Sequence, residues 1–318
     1  MTLSRILIVG GSGFVGQALA TRLSAQNRRV LVPTRRLERS RHLLLLPTVE
    51  VRQADPYDDA QLDALLAGVD AVVNLVGILH GRWGSPYGPE FARAHVELPA
   101  KLGQACVRNG VGRLIQVSAL GVPDDGATGA SMYLRSKADG ERVVRQTEGL
   151  DWTILRPSVI FGPGDRFLNL FAALQRSFPV MPLARAGAKF QPVFVGDVAA
   201  AICNALENPA TIGKTYELAG PEVFTLRQLV ELAGRWGGSP RPIWELPYTL
   251  GQLQAGVLGA LPSPLMSSDN FDSMSVDNVA SGPISPELGI TPTPLGAVAP
   301  QYLPAQAKFC GERKQAHR

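Results

Sequence analysis

Apolar positions open the chain as an unbroken run, Ile6-Leu7-Ile8-Val9, with no polar alternation. A short run of that kind predicts a strand buried on both faces. Gly10-Gly11-Ser12-Gly13-Phe14-Val15-Gly16 follows at once, and Gln17 to Leu23 then carries helical spacing. The pattern predicts a strand, a tight turn and a helix whose N-terminus faces the strand end. Further strands are read at Arg29–Val32, Ala71–Val76, Arg113–Val117, Trp152–Leu155 and Lys214–Leu218, and Val49–Ala54 alternates apolar and polar positions as the third strand in order. Between them lie helical patterns at Arg39–Leu46, Ala60–Leu66, Glu90–Val107, Ala138–Val144 and Asp197–Leu206. Strands that alternate with helices predict an α/β fold, a Rossmann-type doubly wound parallel sheet with ligands at the C-terminal ends of its strands. The first helix is expected to end near Asn27, which tolerates a left-handed cap.

Beyond the sixth strand the pattern changes. Phe167–Phe178 is amphipathic, Thr225 is suited to cap a further helix, and residues 237–300 are rich in Pro, Gly and Ser. The expected organisation is a nucleotide-binding domain over 1–160 with 193–219, and a smaller C-terminal lobe over 161–192 with 220–300. A mobile basic tail is expected over 301–318. Within the lobe, Leu250–Leu261 is apolar but short and broken by Gln252 and Gln254. It falls short of the about 20 residues that span a bilayer, and it is read either as small-lobe packing or as a face for a partner.

Composition narrows the function classes little. The 318 residues are 45% hydrophobic and 18% charged, with a net charge of +4. That charge is too small to point to nucleic acid. Cys106, Cys203 and Cys310 lie far apart, and His42, His80, His95 and His317 have no ligand spacing. Neither a disulfide framework nor a metal site is expected, and the cysteines suit a reducing compartment. The first strand begins almost at Met1, which leaves no room for a leader. The expectation is a cytoplasmic protein, with anionic cofactor phosphates, an acidic partner or a membrane surface left open by the mildly basic charge.

The chemistry starts at the glycine turn. Free backbone N–H groups and the positive end of the helix dipole suit a pyrophosphate. Gly10 lets the chain turn, Gly13 lets backbone approach the phosphates, and Gly16 lets the helix pack on the strand. The second strand ends Pro33-Thr34-Arg35-Arg36, with no carboxylate before Glu38. A carboxylate there would repel a 2′-phosphate, whereas guanidinium groups bind one, so NADP(H) is favoured over NAD(H). The alternative to that contact is a solvated basic face formed by Arg35, Arg36, Arg39 and Arg41. Asp55 closes the third strand and either accepts from an adenine amino group or caps a turn. The fourth strand runs through Val76 into Gly77, where backbone can approach a cofactor. His80–Pro89, with Trp83 and Tyr87, reads as a loop at that end of the sheet. Tyr133 and Lys137 are one helical turn apart and share a face. An ammonium there lowers the phenol pKa from about 10, as suits a phenol exchanging a proton during hydride transfer.

The glycine motif, Ser118, the Tyr133/Lys137 pair and Leu155-Arg156-Pro157-Ser158-Val159-Ile160-Phe161-Gly162-Pro163 together resemble the extended and atypical short-chain dehydrogenase/reductase superfamily, the NAD-dependent epimerase/dehydratase-like proteins. Pro192–Ala199 and Tyr216–Glu222 continue the match, which covers about residues 5–235. Tyr133-Leu134-Arg135-Ser136-Lys137-Ala138 and Gly164-Asp165-Arg166-Phe167-Leu168-Asn169 are most similar to one subgroup, the nucleotide-binding accessory subunit of respiratory complex I and its bacterial relatives. The resemblance implies a pyrophosphate at Gly10, Gly13 and Gly16, a 2′-phosphate at Arg35 or Arg36, and adenine at Asp55. It also implies the nicotinamide ribose at Lys137 and the nicotinamide ring at Pro157. In active relatives Tyr133 would be the acid/base, assisted by a Ser or Thr after the fifth strand. Here that position is Ala119, one beyond Ser118. Ser118 substitutes for it, or the 123–131 loop supplies the hydroxyl, or it is missing. The implied function is an NADP(H)-binding accessory subunit or assembly factor of a respiratory NADH dehydrogenase-type complex, with complex subunits or a membrane surface as partners. The alternative is an NADP-dependent oxidoreductase, epimerase or dehydratase that acts on a small or nucleotide-linked substrate through Tyr133 and Lys137.

Overall fold

The computed structural model describes residues 3–123, 129–259 and 267–303. The chain divides into two compact units, one of Met1–Pro157, Gly196–Leu218 and Gly282–Thr291, the other of Ser158–Val195, Ala219–Ser281 and Pro292–Arg318.

In the first unit, β1 (Arg5–Val9), β2 (Arg29–Thr34), β3 (Val49–Gln53), β4 (Ala71–Asn74), β5 (Arg113–Val117), β6 (Asp151–Pro157) and β7 (Lys214–Leu218) form one seven-stranded sheet. Its order is β3-β2-β1-β4-β5-β6-β7 and every pairing is parallel. The helices are α1 (Phe14–Ala25), α2 (Asp59–Leu66), α3 (Leu98–Arg108), α4 (Met132–Arg145) and α5 (Val195–Glu207). Leu7, Ile8, Val72, Val73, Leu114 and Ile115 are fully buried, which is why their strands show no alternation. Leu62, Leu65 and Leu66 of α2 pack with Leu98, Leu102 and Cys106 of α3 in the same core. Burying each such leucine is worth about 1.5–3 kcal/mol. Cys106 and Cys203 are free, buried thiols, and burial pushes Cys106 up to about 12 and Cys203 to about 11. The order reverses between β1 and β4, so the ligand crevice of this sheet lies at the end of those two strands.

Local chemistry sets the boundaries. Asn27 adopts φ 57° after α1, and Arg28 N–H donates to Leu23 O at 3.0 Å, the expected left-handed cap. Three differences from the sequence reading stand out. The helix expected over Arg39–Leu46 is a run of 3₁₀ turns over Leu37–Leu45. Strand β4 stops at Asn74 because its Oδ1 takes the Val76 N–H at 3.1 Å, which removes that donor from the ladder. The helix expected over Glu90–Val107 starts at Pro89 and is interrupted by a π-turn, Arg93–Glu97, before α3.

In the second unit, helices Phe167–Ser177, Leu226–Trp236 and Leu295–Tyr302 enclose Phe161, Leu168, Ala172, Leu229, Ala233 and Ala299. Thr225 caps the second of these with a reciprocal capping box to Gln228. The subgroup motif has a structural role here. Asp165, buried, accepts from Leu168 N–H at 2.8 Å, from Gly162 N–H at 3.2 Å and from the Tyr302 hydroxyl.

Residues 282–291, expected in the smaller lobe, belong instead to the first unit. Glu287 pairs with Lys214 at 2.6 Å and accepts from Tyr216, and Asn204 Nδ2 donates to Leu288 O at 2.7 Å. Proline-rich composition identifies such a segment as irregular and is silent on which surface it covers. Of the mobile tail expected over 301–318, Gln301 and Tyr302 belong instead to the helix Leu295–Tyr302, and Tyr302 and Leu303 are buried in the core of the second unit. Residues 304–318, with Cys310 and His317, lie outside the described residues, as does the end of the Leu250–Leu261 segment. No helix of the described residues is long and apolar enough to cross a membrane, and they contain no cluster of metal-ligating residues.

Candidate nucleotide site

The turn between β1 and α1 is built on contacts that only glycine permits. Gly10 adopts φ +86°, and a Cβ there would lie 3.1 Å from Leu75 C and Val76 N. Gly11 N–H donates to Ile8 O at 3.2 Å and Gly13 N–H to Gly10 O at 3.1 Å, which coils the turn. A Cβ on Gly16 would lie 2.4 Å from Gly11 Cα, so α1 rests directly on the turn. Gly13 is the N-cap of α1, with no side-chain cap and no acidic residue in the first turn. Ser12, Phe14 and Val15 are half-buried around it. An uncapped, unneutralised N-terminus of a 12-residue helix at the switch point is a fitting receptor for an anion.

The neighbouring strand ends carry the other sequence candidates. Thr34 is buried, and its Oγ1 donates to Arg36 O at 3.0 Å and accepts Arg36 N–H at 3.2 Å. That turn presents Arg35 and Arg36 exposed at the C-terminal end of β2. Asp55 Oδ1 accepts Tyr57 N–H at 3.2 Å, the turn-capping alternative, while the N-cap of α2 is Asp58. These groups stand on β2 and β3, on the opposite side of β1 from β4.

On the β4 side a second group of candidates comes together. Val76 abuts Gly10, and a Cβ on Gly77 would lie 3.3 Å from Lys137 Nζ and 3.9 Å from His95 Nε2. Lys137 is buried and donates to Val117 O at 3.2 Å, at the end of β5. Burial lowers its pKa to about 8, against the opposing pull of the Glu141 carboxylate. Glu141 is itself buried, holding Arg156 at 2.8 and 2.7 Å and Arg145 at 2.7 Å, which anchors α4 to β6. Tyr133 is half-buried one turn before Lys137, with its ring edge-to-face to His95 at 5.5 Å. Ser118 follows β5 directly, and its Oγ is buried with no hydrogen-bond partner. Such an orphaned hydroxyl is costly unless a ligand satisfies it. Ala119 packs with Val122, Leu134 and Ala138. Ser131, from the loop considered as a second source of hydroxyl, caps α4 through Leu134 N–H at 3.2 Å, and Thr128 lies outside the described residues. Pro157 is buried at the end of β6, and its carbonyl accepts Leu120 N–H at 2.9 Å.

Sequence reasoning missed His95. It is buried, Nε2 accepts Ile78 N–H at 3.0 Å, and Nδ1 lies 2.8 Å from Ser136 Oγ. Burial, with the Lys137 ammonium nearby, pushes its pKa down to about 2. Its only signal in the sequence was a histidine inside an otherwise amphipathic helix.

Residues 6–219 match the model of the NAD dependent epimerase/dehydratase family. The chain is 34% identical over 294 residues to a protein of Arabidopsis thaliana named NADH dehydrogenase (ubiquinone) 1 alpha subcomplex subunit 9, mitochondrial, covering 86% of this chain and 70% of the relative. The rat protein of the same name is 33% identical over 301 residues, covering 91% and 76%. Among solved structures, a double mutant of the dTDP-glucose 4,6-dehydratase DesIV from Streptomyces venezuelae, with NAD and DAU bound, superposes with a TM-score of 0.73. It is 23% identical and covers 94% of this chain and 95% of its own. At that identity the likeness shows the fold alone.

Proposed function

The chain belongs to the NAD dependent epimerase/dehydratase family, and on that premise we propose that it holds NADP(H) as an accessory subunit of a respiratory NADH dehydrogenase-type complex. The observation that carries this reading is the 34% identity, over 86% of the chain, to a relative named as a subunit of that dehydrogenase. The glycine turn supports the nucleotide half of the reading, because an uncapped helix N-terminus at the switch point suits a pyrophosphate.

In this reading Gly10 to Gly16 receive the pyrophosphate on backbone N–H groups. Arg35 and Arg36 pair with the 2′-phosphate, and no carboxylate stands on β2 to repel it. Asp55 borders the adenine with the oxygen not used in its turn. Lys137 meets the nicotinamide ribose and Pro157 the nicotinamide ring. A bound nicotinamide supplies hydride transfer. The chain's own contribution to such a step is weakened at Ala119, where no hydroxyl is available to polarise a substrate oxygen. The second unit, Ser158–Val195 with Ala219–Ser281 and Pro292–Arg318, serves as the partner-facing lobe. Attachment is peripheral, on the cytoplasmic face of the inner membrane.

A second reading keeps turnover, as an NADP-dependent oxidoreductase, epimerase or dehydratase. It is favoured by the unpartnered Ser118 Oγ beside the Val117 carbonyl that Lys137 engages. Two experiments separate the readings. Affinity capture from membranes in mild detergent is expected to recover subunits of the dehydrogenase; recovery of the chain alone counts against the accessory role. A substrate panel run with a Tyr133→Phe control is expected to give no Tyr133-dependent hydride transfer, and such transfer would establish the enzyme instead.

A further inference from the structure

The π-turn and His95 have no place in the nucleotide contacts above, yet they are tied to the loop after β4 and to α4. Ile78 N–H lies just beyond β4, past the last ladder bond, and a half-buried backbone donor there needs a partner from elsewhere. That partner is His95 Nε2, at 3.0 Å. His95 lies within the π-turn Arg93–Glu97, and Gly140 makes room for its backbone. A Cβ on Gly140 would lie 2.0 Å from the His95 carbonyl oxygen.

The hydrogen-bond directions are fixed from one end. A ring nitrogen that accepts from a backbone N–H carries no proton, so the single proton of the neutral imidazole is on Nδ1. Nδ1–H then donates to Ser136 Oγ at 2.8 Å, and Ser136 Oγ–H donates to Tyr133 O at 2.8 Å. The chain runs from the loop after β4, through the π-turn, to the backbone of the helix that bears Tyr133 and Lys137. Burial keeps the imidazole neutral, and the nearby Lys137 charge reinforces this.

We propose that His95 is a positioning residue of this site: by taking the Ile78 N–H on Nε2 it fixes the Gly77–Ile78 backbone beside Lys137, and by donating from Nδ1 through Ser136 it fixes that backbone relative to the Tyr133 turn of α4. The role rests on the nucleotide reading given above. It acts on the nicotinamide-ribose half of the site, whereas the glycine turn and the ends of β2 and β3 serve the pyrophosphate and adenine half.

The test compares the wild-type protein with His95→Phe and His95→Gln, the glutamine offering an amide oxygen near the position of Nε2. In the free wild-type protein, ¹⁵N spectra are expected to show His95 protonated on Nδ1 and bare on Nε2 at neutral pH, with Ile78 N–H protected from exchange. In His95→Phe, Ile78 is expected to exchange at least about tenfold faster. NADPH affinity is expected to fall about tenfold, equivalent to about 1.4 kcal/mol, while ADP affinity is unchanged. His95→Gln is expected to restore most of both. A proton on Nε2, unchanged Ile78 exchange in His95→Phe, or equal loss of NADPH and ADP affinity overturns the proposal. A wild-type protein that binds neither NADPH nor NADH overturns the nucleotide reading, and the role at that site with it; faster Ile78 exchange in His95→Phe would then identify a hydrogen bond serving the fold alone.

Discussion

Replacing Gly16 with alanine places a methyl carbon 2.4 Å from Gly11 Cα and from Gly11 O. Carbon atoms meet comfortably at about 3.5–4.0 Å, so the turn or the helix must give by about 1 Å. Gly11 cannot retreat easily, because its own Cβ position is already 2.8 Å from Val32 Cγ1 and 3.0 Å from Ile8 O. Overpacking of this kind costs about 1–3 kcal/mol, and alanine returns up to about 1 kcal/mol of helix propensity in α1. The net loss is about 1–2 kcal/mol, or roughly 2–8 °C in Tm for a unit of this size. The displaced turn also spoils the N–H cradle, so NADPH affinity falls at least about tenfold. Gly112→Ala is the control in the same unit. The nearest atom to its Cβ is 4.0 Å away, and a glycine-to-alanine change at a tolerant position gains about 0.4–1 kcal/mol. Thermal unfolding with and without NADPH, followed with a fluorescence titration of the nucleotide, measures all of this. A Gly16→Ala protein as stable as wild type, with unchanged NADPH affinity, refutes the reasoning from the turn.

Lys137→Met tests the buried ammonium. The folded-state pKa of Lys137 is depressed, to about 8, so the unfolded chain binds the proton more readily between about pH 8 and pH 10.5. Stability of the wild type therefore rises with pH across that window. The variant is expected to lose that rise and to be more stable at pH 7, while nucleotide affinity falls; pH-dependent urea unfolding checks the sign. Arg35→Ala combined with Arg36→Ala is expected to lower NADPH affinity by about ten- to a hundredfold with NADH affinity unchanged, as losing charge-assisted phosphate contacts requires; calorimetric titration of both nucleotides decides it. Tyr302→Phe removes a hydroxyl donor from buried Asp165 and is expected to destabilise the second unit by about 1–3 kcal/mol, read by urea unfolding, with nucleotide affinity unaffected.

How much of this was legible depended on sequence distance. The β1 turn could be read because strand, glycines and helix are contiguous, and each local preference points the same way. Arg35 and Arg36 could be placed just after β2 because the end of the second strand is a fixed place in such a sheet. Tyr133 and Lys137 could be placed one turn apart on α4 because helical spacing puts them on one face. His95 could not, because its partners are Ile78, 17 residues before it, and Ser136, 41 residues after. The π-turn that contains it has no periodicity of its own. Asp165 was recognisable as a motif residue, but its structural role depends on Tyr302, 137 residues away. Residues 282–291 read as part of a proline-rich stretch, and contacts with distant residues such as Lys214, Tyr216, Asn204 and Asn208 reveal the surface they cover.

The central claim is that the turn after β1 and the arginines after β2 hold NADP(H) as a resident group. Native mass spectrometry of the freshly purified protein, before and after acid release, tests it most directly. The expected result is a protein mass raised by one dinucleotide, with NADP⁺ or NADPH as the released species. Release of NAD(H) alone contradicts the assignment to Arg35 and Arg36. A protein that carries no dinucleotide, and that takes up neither NADPH nor NADH when they are added, contradicts the account as a whole.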